Sequence, residues 1–418
     1  MCFGPGPKFK GGISNYNTAL AKALDKREDT EVHIVSWINQ YPSIIPREFI
    51  DKSSKKDLLE GTGIQVTYIT DYNKPWTWKA TAKYIMDLNP DMVIFQWAIA
   101  IQGLPMGRIA KIISKKSNTE IIFDLHFVIQ KEGSKLDNLF TRMAIKHADT
   151  YIAHAYKTVN ELKELLPDKK FSINEDGNRD GTHQTVIKLY HPIYNLFQPD
   201  PKFDVESFKN QNGLKKNVFL FFGFIRKYKG LHYAIKAFKK VADQRDDVSF
   251  LICGESFWQT LDTDKWSTRI KTALFGLAKS VFLSKKEDEK EYRPLELISE
   301  LDLENCTMVV NEFVPNEDVH KYFQAADAVV LYYEYATPSG IESLSYNFKK
   351  PLLATRVGHF PETIEDGFNG YLANPGDVTD MANQMLRYLD NPLPPENIAL
   401  KTKDMSWDNY AAAIMYPY

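Results

Sequence analysis

A chain of 418 residues exceeds what one hydrophobic core ordinarily serves and suits two domains of roughly 200 residues each. Its make-up, 44% hydrophobic and 25% charged, is that of a packed globular protein, and a net charge of -2 excludes nucleic-acid binding as the main task, which needs a large basic excess. Cys2, Cys253 and Cys306 lie far apart with no Cys-x-x-Cys spacing, which excludes a disulfide framework and a cysteine zinc site.

The chain opens with Met1-Cys2-Phe3 before the turn Gly4-Pro5-Gly6, so either the first strand is very short or the recorded chain begins late. Apolar, β-rich runs then predict strands at 32–36, 64–69, 92–95, 121–123, 151–153 and 186–189, with helical stretches such as 14–24 and 139–147 between them. Prolines 192, 199 and 201 break the pattern over 191–203, the expected hinge at the floor of a cleft. The scheme repeats with strands at 218–222, 248–253, 308–310, 328–332, 352–355 and 371–373. The fold class is therefore α/β, with two Rossmann-like domains facing each other: residues 1–197, and residues 203–402. The last helix, within about 403–418, is expected to return to the first domain. No run of ~18 apolar residues and no signal sequence is present, so a cytoplasmic protein is expected.

Glycines and cations gather where predicted strands give way to helices. Gly11 and Gly12, in Lys8-Phe9-Lys10-Gly11-Gly12-Ile13-Ser14, suit close approach of a diphosphate, although neither a G-x-G-x-x-G fingerprint nor a phosphate-loop motif is present. His126 ends the segment Asp124-Leu125-His126 after a strand; a lone histidine there faces a cleft or is simply structural. Gly223 to Gly230 follows the strand at 218–222 and carries Arg226, Lys227 and Lys229, a local anion site or an ordinary basic loop. Asp262-Thr263-Asp264 reads as a helix cap rather than a metal pair, and no metal is expected. The amphipathic stretch at 266–286 either packs on its own domain or rests on an anionic membrane surface.

The segment Glu334-Tyr335-Ala336-Thr337-Pro338-Ser339-Gly340-Ile341-Glu342 joins a buried strand to a helix. Such a junction points free N–H groups of Ser339, Gly340 and Ile341 and a positive dipole end at the crevice. Glu342 is placed to accept ribose hydroxyls and Glu334 those of a sugar; the plainer alternative is a first-turn acid and a solvated loop residue.

This nonapeptide fits the E-x7-E pattern of the retaining glycosyltransferases of family 4 (group 1), of the GT-B type, which the chain resembles over nearly its whole length. The segments Gly358-His359-Phe360-Pro361-Glu362, Asp366-Gly367-Phe368-Asn369-Gly370, Gly11-Gly12, His191-Pro192 and Gly223 to Gly230 fall where that family has counterparts. The resemblance implies that Gly12, Arg226 and Lys229 contact the donor diphosphate, that Glu342 takes the ribose and Glu334 the donor sugar or phosphate side, and that His126 stands beside the reacting sugar. It implies a nucleotide-sugar donor, a glycan or lipid-linked saccharide acceptor in cell-surface polysaccharide assembly, retention of configuration, and neither cofactor nor metal. Many members carry Arg where this chain has Phe224, so the role passes to Arg226. A sugar-nucleotide epimerase and a non-catalytic nucleotide-binding partner protein share the fold and are the alternatives. A two-carboxylate glycoside hydrolase has no need of the cationic loop. Acceptor contacts are expected from 71–79, with Trp76 and Trp78, and from 96–108, with Trp97, where aromatic rings suit stacking on sugar faces; local packing is the alternative.

Overall fold

The computed structural model describes residues 1–43, 45, 49–129, 135–256, 291–338 and 340–416. Among them, two wholly parallel sheets carry the fold. The first contains β1 (Cys2–Phe3), β2 (His33–Asn39), β3 (Gln65–Asp71), β4 (Met92–Trp97), β5 (Glu120–Leu125), β6 (Thr150–Ala153), β7 (Phe171–Asn174) and β8 (Gln184–Lys188). The second contains β9 (Asn217–Phe222), β10 (Val248–Cys253), β11 (Thr307–Val310), β12 (Ala328–Leu331), β13 (Leu352–Thr355) and β14 (Gly370–Ala373).

Strand order is β3-β2-β1-β4-β5-β6-β8-β7 in the first sheet and β11-β10-β9-β12-β13-β14 in the second. In each, the order reverses next to the lobe's first strand, between β1 and β4 and between β9 and β12. Open parallel sheets bind ligands at that reversal, outside the carboxyl ends of the strands. Helices cover both faces, so strands such as β4 and β10 are buried at every position, and their unbroken apolar runs follow from that.

Each strand expected from the sequence is present; β2, β3, β4 and β5 run two or three residues further at their carboxyl ends. The edge strand β7 was not expected, because its four half-exposed residues carry no alternation long enough to read. The first strand pairs Cys2 and Phe3 with Ile34 and Val35 on one side and with Ile94 and Phe95 on the other.

The helix Trp407–Met415 packs on the first lobe: Tyr16 OH donates to Tyr410 OH at 2.6 Å, and Tyr410 OH donates to Asp124 Oδ2 at 3.1 Å. The two crossings between lobes run side by side, the amide of Ile193 donating to the carbonyl of Met405 at 3.0 Å. A continuous set of buried side chains passes from Tyr16 and Leu20 through Tyr194 and Phe197 to Leu344 and Phe360. The lobes also meet through Tyr156 N on Glu362 Oε2 at 3.1 Å and Asn316 N on Ser54 Oγ at 2.9 Å.

Candidate active site

The loops after β9 and β12 stand on either side of the second lobe's strand reversal and are locked together. The amide of Glu334 donates to the carbonyl of Tyr228 at 2.7 Å, and the rings of Tyr228 and Tyr335 stack at 4.8 Å. Gly230, at φ 64°, begins the helix Leu231–Ala242; a β-carbon there would fall 1.9 Å from the Tyr332 carbonyl oxygen. Only glycine lets the two loops approach so closely.

Lys229 projects into this junction. It is 9% exposed, with Nζ 5.8 Å from the Tyr333 ring centre. Burial, then repulsion from Arg226, lowers its amine from 10.5 to about 7. Arg226 is half-buried, its guanidinium 5.8 Å from the Tyr228 ring centre. Two cations held in one half-buried turn are suited to a bound anion, which relieves both their repulsion and their desolvation.

The helix Gly340–Asn347 enters from the β12 side. A β-carbon on Gly223, whose φ is 97°, would lie 3.1 Å from Lys229 Nζ and 3.3 Å from Ile341 Cδ1. The cationic turn and the amino end of this helix therefore face the same space. Ser339 lies outside the described residues, as do Asp262-Thr263-Asp264 and the amphipathic stretch at 266–286. Glu334 is half-buried, with Oε1 3.8 Å from His232 Nε2. Burial, with Lys236 and Lys227 adding, lowers the His232 imidazole to about 4, so it is neutral beside Glu334.

From the first lobe, Gly11, at φ 106°, turns its α-carbon toward Phe224 of the basic loop; an added β-carbon would lie 3.8 Å from that ring. Tyr194 OH, from the hinge, donates to the Gly12 carbonyl at 2.8 Å, while its ring abuts Gly340. Lys10 Nζ stands 3.7 Å from Glu255 Oε2 across the lobes. The glycine pair thus sits opposite the second-lobe junction.

His126 is 6% exposed and donates from Nε2 to Gln96 Oε1 at 2.8 Å, its ring edge-on to Tyr16 at 4.6 Å. Burial lowers its imidazole to about 4, so it is neutral at physiological pH. Behind it, His154 Nε2 donates to Asp124 Oδ1 at 2.8 Å, both fully buried. His191, after β8, meets Ser343 Oγ of the second lobe at 2.7 Å. Asp124, His126 and His154 offer ligand atoms within 4.8 Å of one another, the one such group of possible cation ligands among the described residues. Two hydrogen-bonded sets hold these side chains, His126 with Gln96 and Asp124 with His154 and Tyr410, while His154 Nδ1 and Gln96 Nε2 are buried without a partner among the described residues. Sequence reasoning singled out His126 but not His154, although both follow a strand at its carboxyl end, and that shared position was the available signal.

Glu342 is 4% exposed; its Oε2 accepts from His359 Nε2 at 2.5 Å. Both residues line a small cavity between the lobes, together with His154, His191, Pro338 and Ser343.

The aromatic residues expected to meet an acceptor divide. Trp97 is fully buried on β4 and packs against Phe123 and Phe127, so the local-packing alternative holds for it. Trp78 Nε1 donates to the Asp71 carbonyl at 2.9 Å, whereas Trp76 is 69% exposed.

Two facing Rossmann-like lobes with a glycine turn from one and a cationic turn from the other define a GT-B fold. Residues 202–405 match the family described as glycosyl transferases group 1, and the second lobe belongs to it. The N-acetyl-alpha-D-glucosaminyl L-malate synthase of Bacillus anthracis is 20% identical over 310 residues, covering 73% of this chain and 65% of that protein. Spore coat protein SA of Bacillus subtilis (strain 168) is 22% identical over 207 residues, covering 48% of this chain and 47% of that protein. The chain thus spans about two thirds of the first relative's length and about half of the second's. Among solved structures, Anabaena HepE in complex with UDP superposes with a TM-score of 0.63 at 17% identity, covering 99% of this chain and 96% of that one; HepE is also known with UDP-glucose bound. Among the described residues, no helix is long and apolar enough to cross a membrane.

Proposed function

We propose that the protein transfers a sugar from a nucleoside diphosphate sugar, with UDP as the leaving nucleotide, to a hydroxyl of a glycan or lipid-linked saccharide, with retention of configuration. The observation that carries this reading is the shared space between Lys229 and the amino end of the helix Gly340–Asn347 over Gly223. The UDP and UDP-glucose complexes of HepE support a nucleotide-sugar donor.

Breaking the glycosyl–phosphate bond leaves negative charge on the diphosphate and positive character on the sugar. Lys229 and Arg226 stabilise the leaving diphosphate, assisted by the N–H groups of Gly340 and Ile341, and this charge balance needs no metal ion. Gly11, Gly12 and Gly223 leave room for the phosphates. Glu334 holds hydroxyls of the donor sugar, Glu342 takes the ribose, and neutral His126 stands beside the reacting carbon as a hydrogen-bond partner rather than a charge. The acceptor attacks from the face the diphosphate leaves, and a phosphate oxygen receives its proton. Closing of the lobes about 191–203 and the adjoining return crossing at Met405 excludes water and limits hydrolysis.

The test is to incubate the protein with UDP-, GDP- and ADP-linked sugars, with and without saccharide acceptors, and follow the sugar and the nucleotide. Acceptor-dependent release of UDP with a new α-linked product supports the reading. Conversion of the donor sugar with no acceptor present would replace it with an epimerase.

A further inference from the structure

The Glu342–His359 contact is more than a buried salt link. Gly358, at φ 59°, has its α-carbon so close to the Ala336 carbonyl that a β-carbon would lie 2.0 Å from that oxygen. The turn after β13 is therefore pinned to the loop between Glu334 and Glu342, and His359 is delivered to a fixed place, 2% exposed. From there Nε2 binds one oxygen of Glu342. The other, Oε1, is buried and accepts no hydrogen bond of good geometry within the described residues, the Tyr346 hydroxyl being the nearby donor to the same carboxylate, and His359 Nδ1 likewise has no partner. A buried carboxylate oxygen without a well-aligned donor is unfavourable, so this oxygen has acceptor capacity left for a donor that arrives from outside. Pro338, in the loop that carries the donor-facing end of the helix, lines the same cavity.

We infer that His359 is a positioning residue for the nucleotide ribose: by holding Glu342 Oε2 it turns Oε1 toward the vicinal hydroxyls of a ribonucleoside diphosphate. The inference rests on the proposed function, because it assumes that Glu342 receives the ribose. No substrate atom touches His359; it acts through the carboxylate. An untethered Glu342 retains its charge but loses its orientation, so the loss falls on the part of the ligand that carries the hydroxyls and spares the diphosphate.

The experiment measures binding of UDP, 2′-deoxy-UDP and inorganic pyrophosphate to the wild-type protein, His359→Ala and His359→Gln. The wild type is expected to prefer UDP over its 2′-deoxy analogue by roughly 10-fold, the scale of one hydrogen bond to a charged group. His359→Ala is expected to reduce that preference to about 2-fold or less, with pyrophosphate affinity changed by less than about 2-fold. His359→Gln, which retains an N–H donor near the position of Nε2, recovers most of the preference. The preference is a ratio within one preparation, so a partly unfolded sample does not alter it. Equal weakening of UDP and 2′-deoxy-UDP in His359→Ala would reduce His359 to a structural residue and overturn the inference, as would a wild type that does not distinguish the two. If the wild type binds none of UDP, GDP and ADP, the proposed function fails first and the inference falls with it.

Discussion

Lys229 Nζ and Ile341 Cδ1 converge on the α-carbon of Gly223, so that a β-carbon at that position would lie 3.1 Å from one and 3.3 Å from the other. The residues are more than a hundred apart in sequence, and they meet because β9 and β12 are neighbours in the second sheet. This contact joins a basic loop and an acidic loop into one candidate pocket.

Gly223→Ala is expected to damage that pocket in two ways. At φ 97° an alanine is strained, by ~1–2 kcal/mol, and its methyl displaces Lys229 or Ile341. Thermal unfolding should show the loss of stability, and UDP affinity should fall by roughly 10-fold or more.

Nucleotide binding should weaken as pH rises through the Lys229 pKa. Burial and Arg226 place that value at about 7 in the unliganded protein. Below it the lysine is already charged; above it, binding a diphosphate requires uptake of a proton, so affinity falls by up to about 10-fold per pH unit. Calorimetry in buffers of different ionisation enthalpy should detect that proton at pH 8, and Lys229→Met should abolish the uptake.

The neutral His126 makes a separate prediction for stability. Its value is lowered from 6.5 to about 4 in the folded protein. Above 6.5 the position is unprotonated whether the chain is folded or not. Between 6.5 and about 4 only the unfolded chain takes up the proton, so stability falls as pH falls, by roughly 3 kcal/mol for this group. A melting series from pH 7 to pH 4 should show the decline, and His126→Gln should flatten part of it.

Tyr410 links the last helix to the first lobe through Tyr16 and Asp124. Tyr410→Phe removes a buried donor to a carboxylate and is expected to lower stability by ~1–3 kcal/mol.

The alternation of buried strands and helices, and the glycine and cation positions at strand ends, were legible because parallel sheets covered on both faces write continuous apolar runs. The loops that carry Gly223, Lys229 and Ile341 could be assigned to one crevice because each follows a strand at its carboxyl end and the family resemblance puts both on the donor. The pairing of Glu342 with His359 was not legible: it depends on how the turn at Gly358 packs on Ala336, a contact between distant segments that leaves no periodic mark. His154 and His191 were missed as a group for the same reason, their association with Asp124 and Ser343 arising only from strand order and lobe contact. Trp97 misled because an aromatic residue at a strand end serves packing and ligand stacking equally well, and here it is buried against Phe123.

The most direct measurement is the affinity of UDP for the wild-type protein and for Lys229→Ala, by titration calorimetry at pH 6.5, where Lys229 is mostly charged. The account predicts a single site in the wild type and a loss of at least ~10-fold in the variant, the scale of one charge-assisted contact to a phosphate. Equal UDP affinity in the two proteins, with both folded, would contradict it.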